Sequence, residues 1–264
     1  MAEQRNEYRG LTEFYDAEYA DQQFLKEDFG MMLAEIGEAK RVVEIGCGTG
    51  RAALPIAQSG HDVVGFDVDV NMLKLAEATR DKAGVSPDTL RYVHADATEA
   101  TWPTQTGGDF DVACCFFNTL LAFAQPEHQE ACLLGAAGAL RPGGMLWLDL
   151  FNPDLNLITS AAGGIDELEP SLFHLPDGRS VQRTTSLYAN ITEQIQHVTF
   201  HYKWFEDDNV RTADCSFDMT WITHRELSRL LRLCGFEIID AWGDYEHAPL
   251  DDDAPRQIVM ARKV

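Results

Sequence analysis

A chain of 264 residues is long enough for one large domain, or for a core domain that carries an insert. With 45% hydrophobic and 24% charged residues it has ordinary globular composition; it has no apolar run of the ~18 residues a membrane span needs, and its polar start predicts a cytoplasmic protein rather than a secreted one. The net charge of −22 speaks against a nucleic-acid partner, weakly favours cationic ligands, and otherwise serves solubility.

Apolar positions at helical spacing (Phe24, Leu25, Phe29, Met32, Leu33, Ile36) predict a helix over 24–39. Arg41–Ile45 follows as a short buried strand, Gly46–Gly50 as a glycine turn, and 51–59 as a helix. Asp62–Asp67 is the next strand, with a helix from Asn71 to Ala83. Leu90–His94 and the nearly all-apolar Phe110–Phe117 are strands three and four. A helix covers 127–139, and Pro142-Gly143-Gly144 turns into a fifth strand, Met145–Phe151. Continuous apolar strands alternating with helices predict a parallel sheet covered on both faces.

After Pro153 the pattern changes. Residues 154–178, with Gly163-Gly164 and two prolines, read as loop with short helical turns. Ser180–Tyr188 then opens a set of half-buried antiparallel strands. Val198, Phe200, Tyr202 and Trp204 alternate with Thr199, His201 and Lys203, and Ala213 to Trp221 alternate in the same way. Turns are expected near Asn190 and at Asp207-Asp208-Asn209. Ile191 and Ile195 are out of step with Val198, which predicts a bulge near Gln196-His197. Thr223 and Glu226 form a capping box that opens a helix ending at Cys234-Gly235. Phe236–Trp242 and Gln257–Arg262 are two more strands. The expected organisation is a core of residues 1–153 and 223–264 interrupted by a three-stranded antiparallel insert, 154–222.

The six cysteines (47, 114, 115, 132, 215 and 234) form no C-x-x-C pair and read as small core residues in a reducing compartment. Arg225, Arg229 and Arg232 read as the solvated side of a helix.

Glu44-Ile45-Gly46-Cys47-Gly48-Thr49-Gly50 lies between a strand and a helix. Glycines let a ligand approach the backbone, and the helix start offers unpaired N–H groups. The spacing is G-x-G-x-G, not the G-x-G-x-x-G of dinucleotide folds. An acid, Glu44, closes the first strand. Asp67 closes the second, 21 positions after Gly46, where a carboxylate can bind both hydroxyls of a ribose; alternatively it is a helix-start charge, a role open also to Asp69. Asp96 closes the third, where it can accept from an adenine amino group. Three acids at successive parallel strand ends mark the edge where open α/β sheets bind ligands.

Val42–Arg51, Val64–Asp67 with Met72-Leu73, His94–Ala97, Phe110-Asp111-Val112 and Leu140–Gly144 together resemble the class I S-adenosylmethionine-dependent methyltransferases. The resemblance implies an α/β fold: a seven-stranded Rossmann-like sheet of order 3-2-1-4-5-7-6 with the last strand antiparallel. It also implies S-adenosylmethionine (SAM) as methyl donor and S-adenosylhomocysteine (SAH) as product. Carried over, Gly46, Cys47 and Gly48 line the methionine part, with Glu44 and Gly50 framing the loop. Asp67 holds the ribose, Val68 and Met72 pack on the adenine, and Asp96 and Ala97 read its edge. Phe116 and Phe117 close over the methionine end.

Tyr15-Asp16 and Tyr19, the strand exit Phe116–Thr119 and the sheet insert resemble the small-molecule type, amino-sugar and glycine N-methyltransferases. That implies a small-molecule acceptor, a monomer or homodimer, no nucleic acid and no membrane, with the insert shaping the acceptor pocket. Some amino-sugar enzymes carry a histidine or tyrosine shortly after the fourth strand; Leu121 and Ala122 stand there in this chain.

Methyl transfer from a sulfonium is an in-line displacement, and alignment alone can contribute about 7–11 kcal/mol. A base is needed only to deprotonate an alcohol, phenol or ammonium. Tyr19, Asn118 and His201 are the candidate catalytic residues and Tyr15 a further cofactor contact. Tyr15 and Tyr19 could instead pack on the first helix, and Asn118 could cap one. The face of Tyr202 and Trp204 reads as either the roof of the acceptor pocket or the insert's own core, with the core favoured, and His201 and Lys203 lie opposite and are the polar residues that could meet substrate. Asp149, Asn152 and Asp154 are spaced like oxygen ligands for Mg²⁺, but Pro153 turns the chain between them and no metal is assigned. The competing readings are a nicotinamide-dependent oxidoreductase, which would not explain Asp96, a non-catalytic SAM-binding regulatory protein, and a protein methyltransferase.

Overall fold

A computed structural model of the chain describes residues 12–19, 24–38, 40–207 and 209–264. It contains two compact units. One comprises Gln23–Asn152 with Ile222–Val264; the other joins the N-terminal segment to Pro153–Trp221.

The first unit begins with helix α2 (Phe24–Ile36), since α1 (Thr12–Tyr19) belongs to the second. It continues β1 (Arg41–Ile45), α3 (Ala53–Gln58), β2 (Asp62–Asp67), α4 (Val70–Lys82), β3 (Leu90–His94), α5 (Pro103–Thr106), β4 (Phe110–Cys115), α6 (Pro126–Ala139) and β5 (Leu140–Phe151). Helix α8 (His224–Leu233) and strands β10 (Phe236–Trp242) and β11 (Arg256–Lys263) complete it. The seven strands run β3-β2-β1-β4-β5-β11-β10. The first five are mutually parallel, and β11 is antiparallel to both neighbours. This is the expected 3-2-1-4-5-7-6 order.

Burial explains why the central strands carry no alternation. Val42, Val43, Ile45, Val63, Phe66, Val112 and Ala113 are all within the core, covered on both faces. Asp62, at the start of β2, is exposed. Gly65 on β2 leaves room for the Cys47 side chain and the Tyr92 ring, which a Cβ there would crowd. Gly135 on α6 does the same for the fully buried Trp102, whose indole stacks at 4.6 Å on Phe66 and donates to Cys132 O at 3.4 Å. All six cysteines are free and buried. The α8 capping box forms as expected, with Thr223 and Glu226 bonding reciprocally, and Gly235 takes the left-handed conformation at the helix end (φ +85°).

The second unit differs from the sequence reading in three respects. Its sheet has four strands, β6 (Ile165–His174), β7 (Ser180–Asn190), β8 (Ile195–Glu206) and β9 (Asn209–Thr220), all antiparallel, rather than three. β6 escaped notice because its register on β7 slips twice and Pro170 lies in it, so alternation is lost; an edge strand tolerates both. The bulge expected near Gln196-His197 is absent: β8 pairs in unbroken register from Ile195 onward with β7 and β9. Ile191 lies in the turn instead, where Gln194 takes φ +54°, so its parity carries no information. The third difference is α1, expected with the core. Phe14 of α1 is buried against Phe173, Tyr202 and Trp204, at 6.3, 5.2 and 5.2 Å between rings. Glu18, also of α1, pairs with Arg183 and accepts from Tyr202 Oη at 3.3 Å. The Tyr202 face is thus the unit's own core, closed by α1 and by α7 (Leu155–Ala161). The opposite face carries polar cross-strand pairs, His197 with Asp218 and His201 with Asp214.

Among the described residues no helix is long and apolar enough to cross a membrane. Gly135→Ala should drive a methyl group into Trp102 and destabilise the protein by about 1–3 kcal/mol. Urea unfolding followed by tryptophan fluorescence checks this, and an unchanged midpoint contradicts the packing described.

Candidate cofactor site

The parallel register brings the carboxyl ends of β1, β2 and β3 to one edge, and with them Glu44, Asp67 and Asp96. The glycine turn leaves β1 there. Gly46, Gly48 and Gly50 take φ of +67°, +53° and +80°, a region that L side chains rarely adopt. Two of them are also hemmed in: a Cβ on Gly46 would collide with Thr119, and one on Gly50 with the Tyr92 hydroxyl. Gly48 faces open space, with nothing within 4 Å of the position its Cβ would take. Cys47 N–H donates to Phe66 O at 3.0 Å, tying the turn to β2, and the Cys47 thiol is buried and pushed up in pKa by that burial.

Asp67 holds this turn. Its Oδ2 accepts from Gly48 N at 2.9 Å and its Oδ1 from Asp69 N at 2.9 Å. Burial pushes its carboxyl above the ordinary range, and the backbone bonds from Asp69, Gly48 and Val68 pull the other way. Two carboxylate oxygens offer about four acceptor positions, so the carboxylate can take further donors. Asp69, the alternative source of helix-start charge, is the α4 N-cap and accepts from Asn71 N. That role leaves Asp67 available for a ligand. Asp96 Oδ1 accepts from Thr98 N at 2.9 Å and Thr98 Oγ1 at 2.6 Å, which fixes the bend after β3. Val68 is half-buried, and Met72 and Ala97 are buried beside the same edge. His94 Nε2 lies 3.1 Å from Val68 O and links the two strand exits.

Glu44 is buried, 4% exposed, and one of its oxygens accepts the Ala53 N–H at the start of α3. Its Oε2 meets no hydrogen-bond partner among the described residues. Burial raises its pKa to about 8, with Arg51 opposing and Asp28 and Asp67 adding.

The exit from β4 is built by a further acid, Asp149, whose spacing with Asn152 and Asp154 resembles oxygen ligands but to which the sequence reading assigns no metal. Asp149 on β5 is fully buried. Its Oδ1 receives Arg256 Nε at 2.9 Å and Nη2 at 2.5 Å, its Oδ2 receives Phe117 N at 3.1 Å, and Tyr245 Oη donates to both oxygens at 3.1 and 3.2 Å. Asn152 donates to Asp251 O and Asp154 caps α7. Each member of the Mg²⁺-like set therefore serves the protein's own framework. Phe117 and Asn118 both take left-handed conformations, φ +48° and +66°. Asn118 is buried, with its N–H on Asp149 O at 3.0 Å and its Oδ1 accepting Phe151 N at 2.6 Å. Its side-chain oxygen is thus engaged in joining β4 to β5; it caps the short 3-10 turn Thr119–Ala122 through its main-chain carbonyl. Phe116 lies in the core rather than on its surface, while the half-buried Phe117 ring lies 5.8 Å from the Arg51 guanidinium.

Arg51 and Asp28 were also missed. Asp28 on α2 is fully buried, pushed up to about 6 by desolvation, and takes Arg51 Nη1 and Nη2 at 3.3 and 2.6 Å. Arg51 directly follows Gly50, a signal available in the sequence; nothing in the sequence marks Asp28 or Tyr245.

The remaining candidates lie in the antiparallel unit. Tyr15 and Tyr19 are on α1, their rings 5.0 Å apart. His201 bridges Ser186 Oγ (2.8 Å) and Asp214 Oδ1 (2.8 Å) on the polar sheet face, and the half-exposed Tyr188 stacks on His197.

A fold of this topology with three acid-tipped strands around a glycine turn is that of the class I SAM-dependent methyltransferases, and the comparisons agree. Residues 42–144 match the family model described as a methyltransferase domain. The tRNA 5-carboxymethoxyuridine methyltransferase of Escherichia coli K12 is 30% identical over 153 residues, so the match spans 57% of this chain and 56% of that enzyme, about half its length. A cypemycin N-terminal methyltransferase from a Streptomyces species is 26% identical over 86% of this chain and 84% of its own. Among solved structures, SAM-bound CalS10, an amino pentose methyltransferase of Micromonospora echinaspora, shares the fold with a TM-score of 0.70. It is 20% identical and covers 95% of this chain and 97% of its own. Residues 42–144 are thus similar to a methyltransferase domain, set in a fold shared with SAM-dependent methyltransferases.

The raised Glu44 and Asp28 carboxyls set the pH dependence of stability. A folded pKa above the unfolded one contributes stability that is complete at low pH and is lost as pH rises through the folded value. For Glu44 the window runs from about 4.5 to about 8, worth roughly 3–6 kcal/mol. Urea midpoints of the ligand-free protein should fall across that window. Glu44→Gln should flatten the profile above about 6, where the Asp28 titration ends.

Proposed function

We propose that this protein binds SAM at the β1–β3 edge and transfers its methyl group to a nitrogen or oxygen of a small molecule. The observation that carries this reading is the Asp67–Gly48 bond, which couples an acid at the end of β2 to the one glycine of the turn whose Cβ position opens onto free space.

The residues present fit the cofactor. Asp67 would accept from the ribose hydroxyls through its remaining lone pairs. Gly46, Cys47, Gly48 and Gly50 would present main-chain groups to the methionine part, with the orphaned Glu44 Oε2 facing its ammonium. Val68 and Met72 would pack on the adenine, and Asp96 and Ala97 would meet its polar edge. Phe117, held by Asp149, would bound the methionine end, with the buried Phe116 packed behind it. When bound, SAM supplies a methyl group activated by an adjacent sulfonium. Asn118 shapes the β4 exit through its bond to Phe151.

An amine acceptor is the better supported class. The relative named for an N-terminal amine and the structural neighbour named for an amino pentose align over most of this chain, whereas the tRNA enzyme aligns over 57%. A net charge of −22 also opposes approach to a polyanion and favours a cationic acceptor.

Calorimetric titration should show SAM and SAH binding to the wild type. Asp67→Ala should weaken both by tenfold or more, since charge-assisted hydrogen bonds contribute about 1.5–3 kcal/mol each. Equal affinity in the variant overturns the ribose assignment. A screen of amines, phenols and carboxylates for SAH release should find turnover among the amines; turnover confined to phenols or carboxylates would overturn the amine preference.

A further inference from the structure

Glu44 is poorly supplied with positive charge for an ionised carboxylate. It is buried, only one of its oxygens is hydrogen-bonded, and Oε2 meets no partner among the described residues. The groups around it are mostly acidic. Asp28 faces it from α2, Asp67 from the end of β2, Cys47 from the turn, and Cys114 and Cys115 from β4. The Tyr92 hydroxyl on β3 is coupled to both Cys47 and Glu44, and Asp149 on β5 adds its charge to Asp28 and Cys115. The cation facing Glu44 is Arg51, and that guanidinium is held by both oxygens of Asp28. Arg256 is likewise committed to Asp149. The thiols and the phenol are neutral, so an ionised Glu44 would be a buried, half-satisfied charge beside two further acids, Asp28 and Asp67, a situation relieved by taking up a proton.

We propose that Glu44 is a neutral carboxylic acid in the cofactor-free protein and surrenders its proton to solvent when the cofactor's ammonium group binds against it, so that cofactor binding releases a proton. The inference rests on the reading that the glycine turn holds the methionine part. The step balances simply: a neutral acid and a free ammonium become a carboxylate–ammonium pair, one O–H bond is lost, and its proton passes to bulk water. No bond within the cofactor changes. The bound ammonium adds a cation to the cluster and gives Oε2 a donor, of which it has none among the described residues.

Linkage then requires the affinity to rise with pH below the Glu44 transition, approaching tenfold per pH unit. The useful range is between about pH 6 and 7.5, above the Asp28 transition at about 6 and below the ordinary titration of an α-amino group. SAH is the probe, because it carries the ammonium without the sulfonium charge. Titrating it into the full chain in phosphate and in Tris, whose ionisation heats differ, counts the protons exchanged. The expected result is release of more than half a proton per SAH at pH 7, with affinity increasing several-fold per pH unit. Glu44→Gln should release none and bind with a flat pH profile. A second readout uses only the wild type: in protein labelled with carboxyl-¹³C glutamate, one resonance should remain in the acid form at neutral pH and move to the carboxylate position on adding SAH. Tight SAH binding without proton release, the same release from Glu44→Gln, or no such resonance in the free protein overturns the inference while leaving the cofactor reading intact. Absence of any SAH binding overturns both.

Discussion

The site's architecture depends on one buried carboxylate, Asp149. It lies near the end of β5 and gathers the chain around itself: the guanidinium of Arg256 from β11, the hydroxyl of Tyr245 from the loop before β11, and the Phe117 amide from the exit of β4. A buried ion pair of this kind is weak evidence for net stability, but removing either partner strands the other and typically costs about 3–5 kcal/mol. What the cluster secures is conformation. With Asn118 bonding to Phe151, it holds two consecutive non-glycine residues in left-handed geometry, where a regular strand would have continued. β4 therefore stops at Cys115, and its exit turns across the edge where the acid-tipped strands end.

Asp149 and Glu44 show how environment divides the roles of two buried acids in one sheet. Asp149 is supplied with donors by three residues, Arg256, Tyr245 and Phe117, and belongs to the framework. Glu44 has one donor, an oxygen with no partner among the described residues, and two nearby acids, Asp28 and Asp67, against the one arginine, Arg51, that faces it. Unsatisfied buried polar groups are rare in native proteins and call for an explanation in each case. The ammonium contact proposed for Glu44 accounts for this one. Asp67 lies between the extremes, bonded to the turn yet with acceptor capacity to spare.

Most of the core was legible in the sequence because local rules and the global fold agree there. Doubly buried strands read as apolar runs, the Thr223–Glu226 box and Gly235 marked α8 to the residue, and the acids ending β1, β2 and β3 fell where strand ends were expected. What escaped had no local signature. β6 hides its alternation behind two register slips and Pro170. The association of α1 with the antiparallel sheet depends on Phe14 and Glu18 meeting Tyr202 and Arg183, residues far away in the chain. Asp149 looked like a metal ligand because spacing cannot reveal that Arg256 and Tyr245 reach it from more than ninety positions away. Asp28 was invisible for the same reason; the Arg51 that pairs with it stood next to the glycines in plain view.

The contact between Gly46 and Thr119 carries an evolutionary implication. The glycine has no room for a methyl group because the threonine side chain fills that space. Sequence drift at either position is therefore conditional on the other: a bulkier residue at 119 demands that 46 stay bare, and only a smaller one at 119 would relieve the crowding at 46, the left-handed backbone still favouring glycine. Two segments more than seventy residues apart should thus show correlated substitution histories.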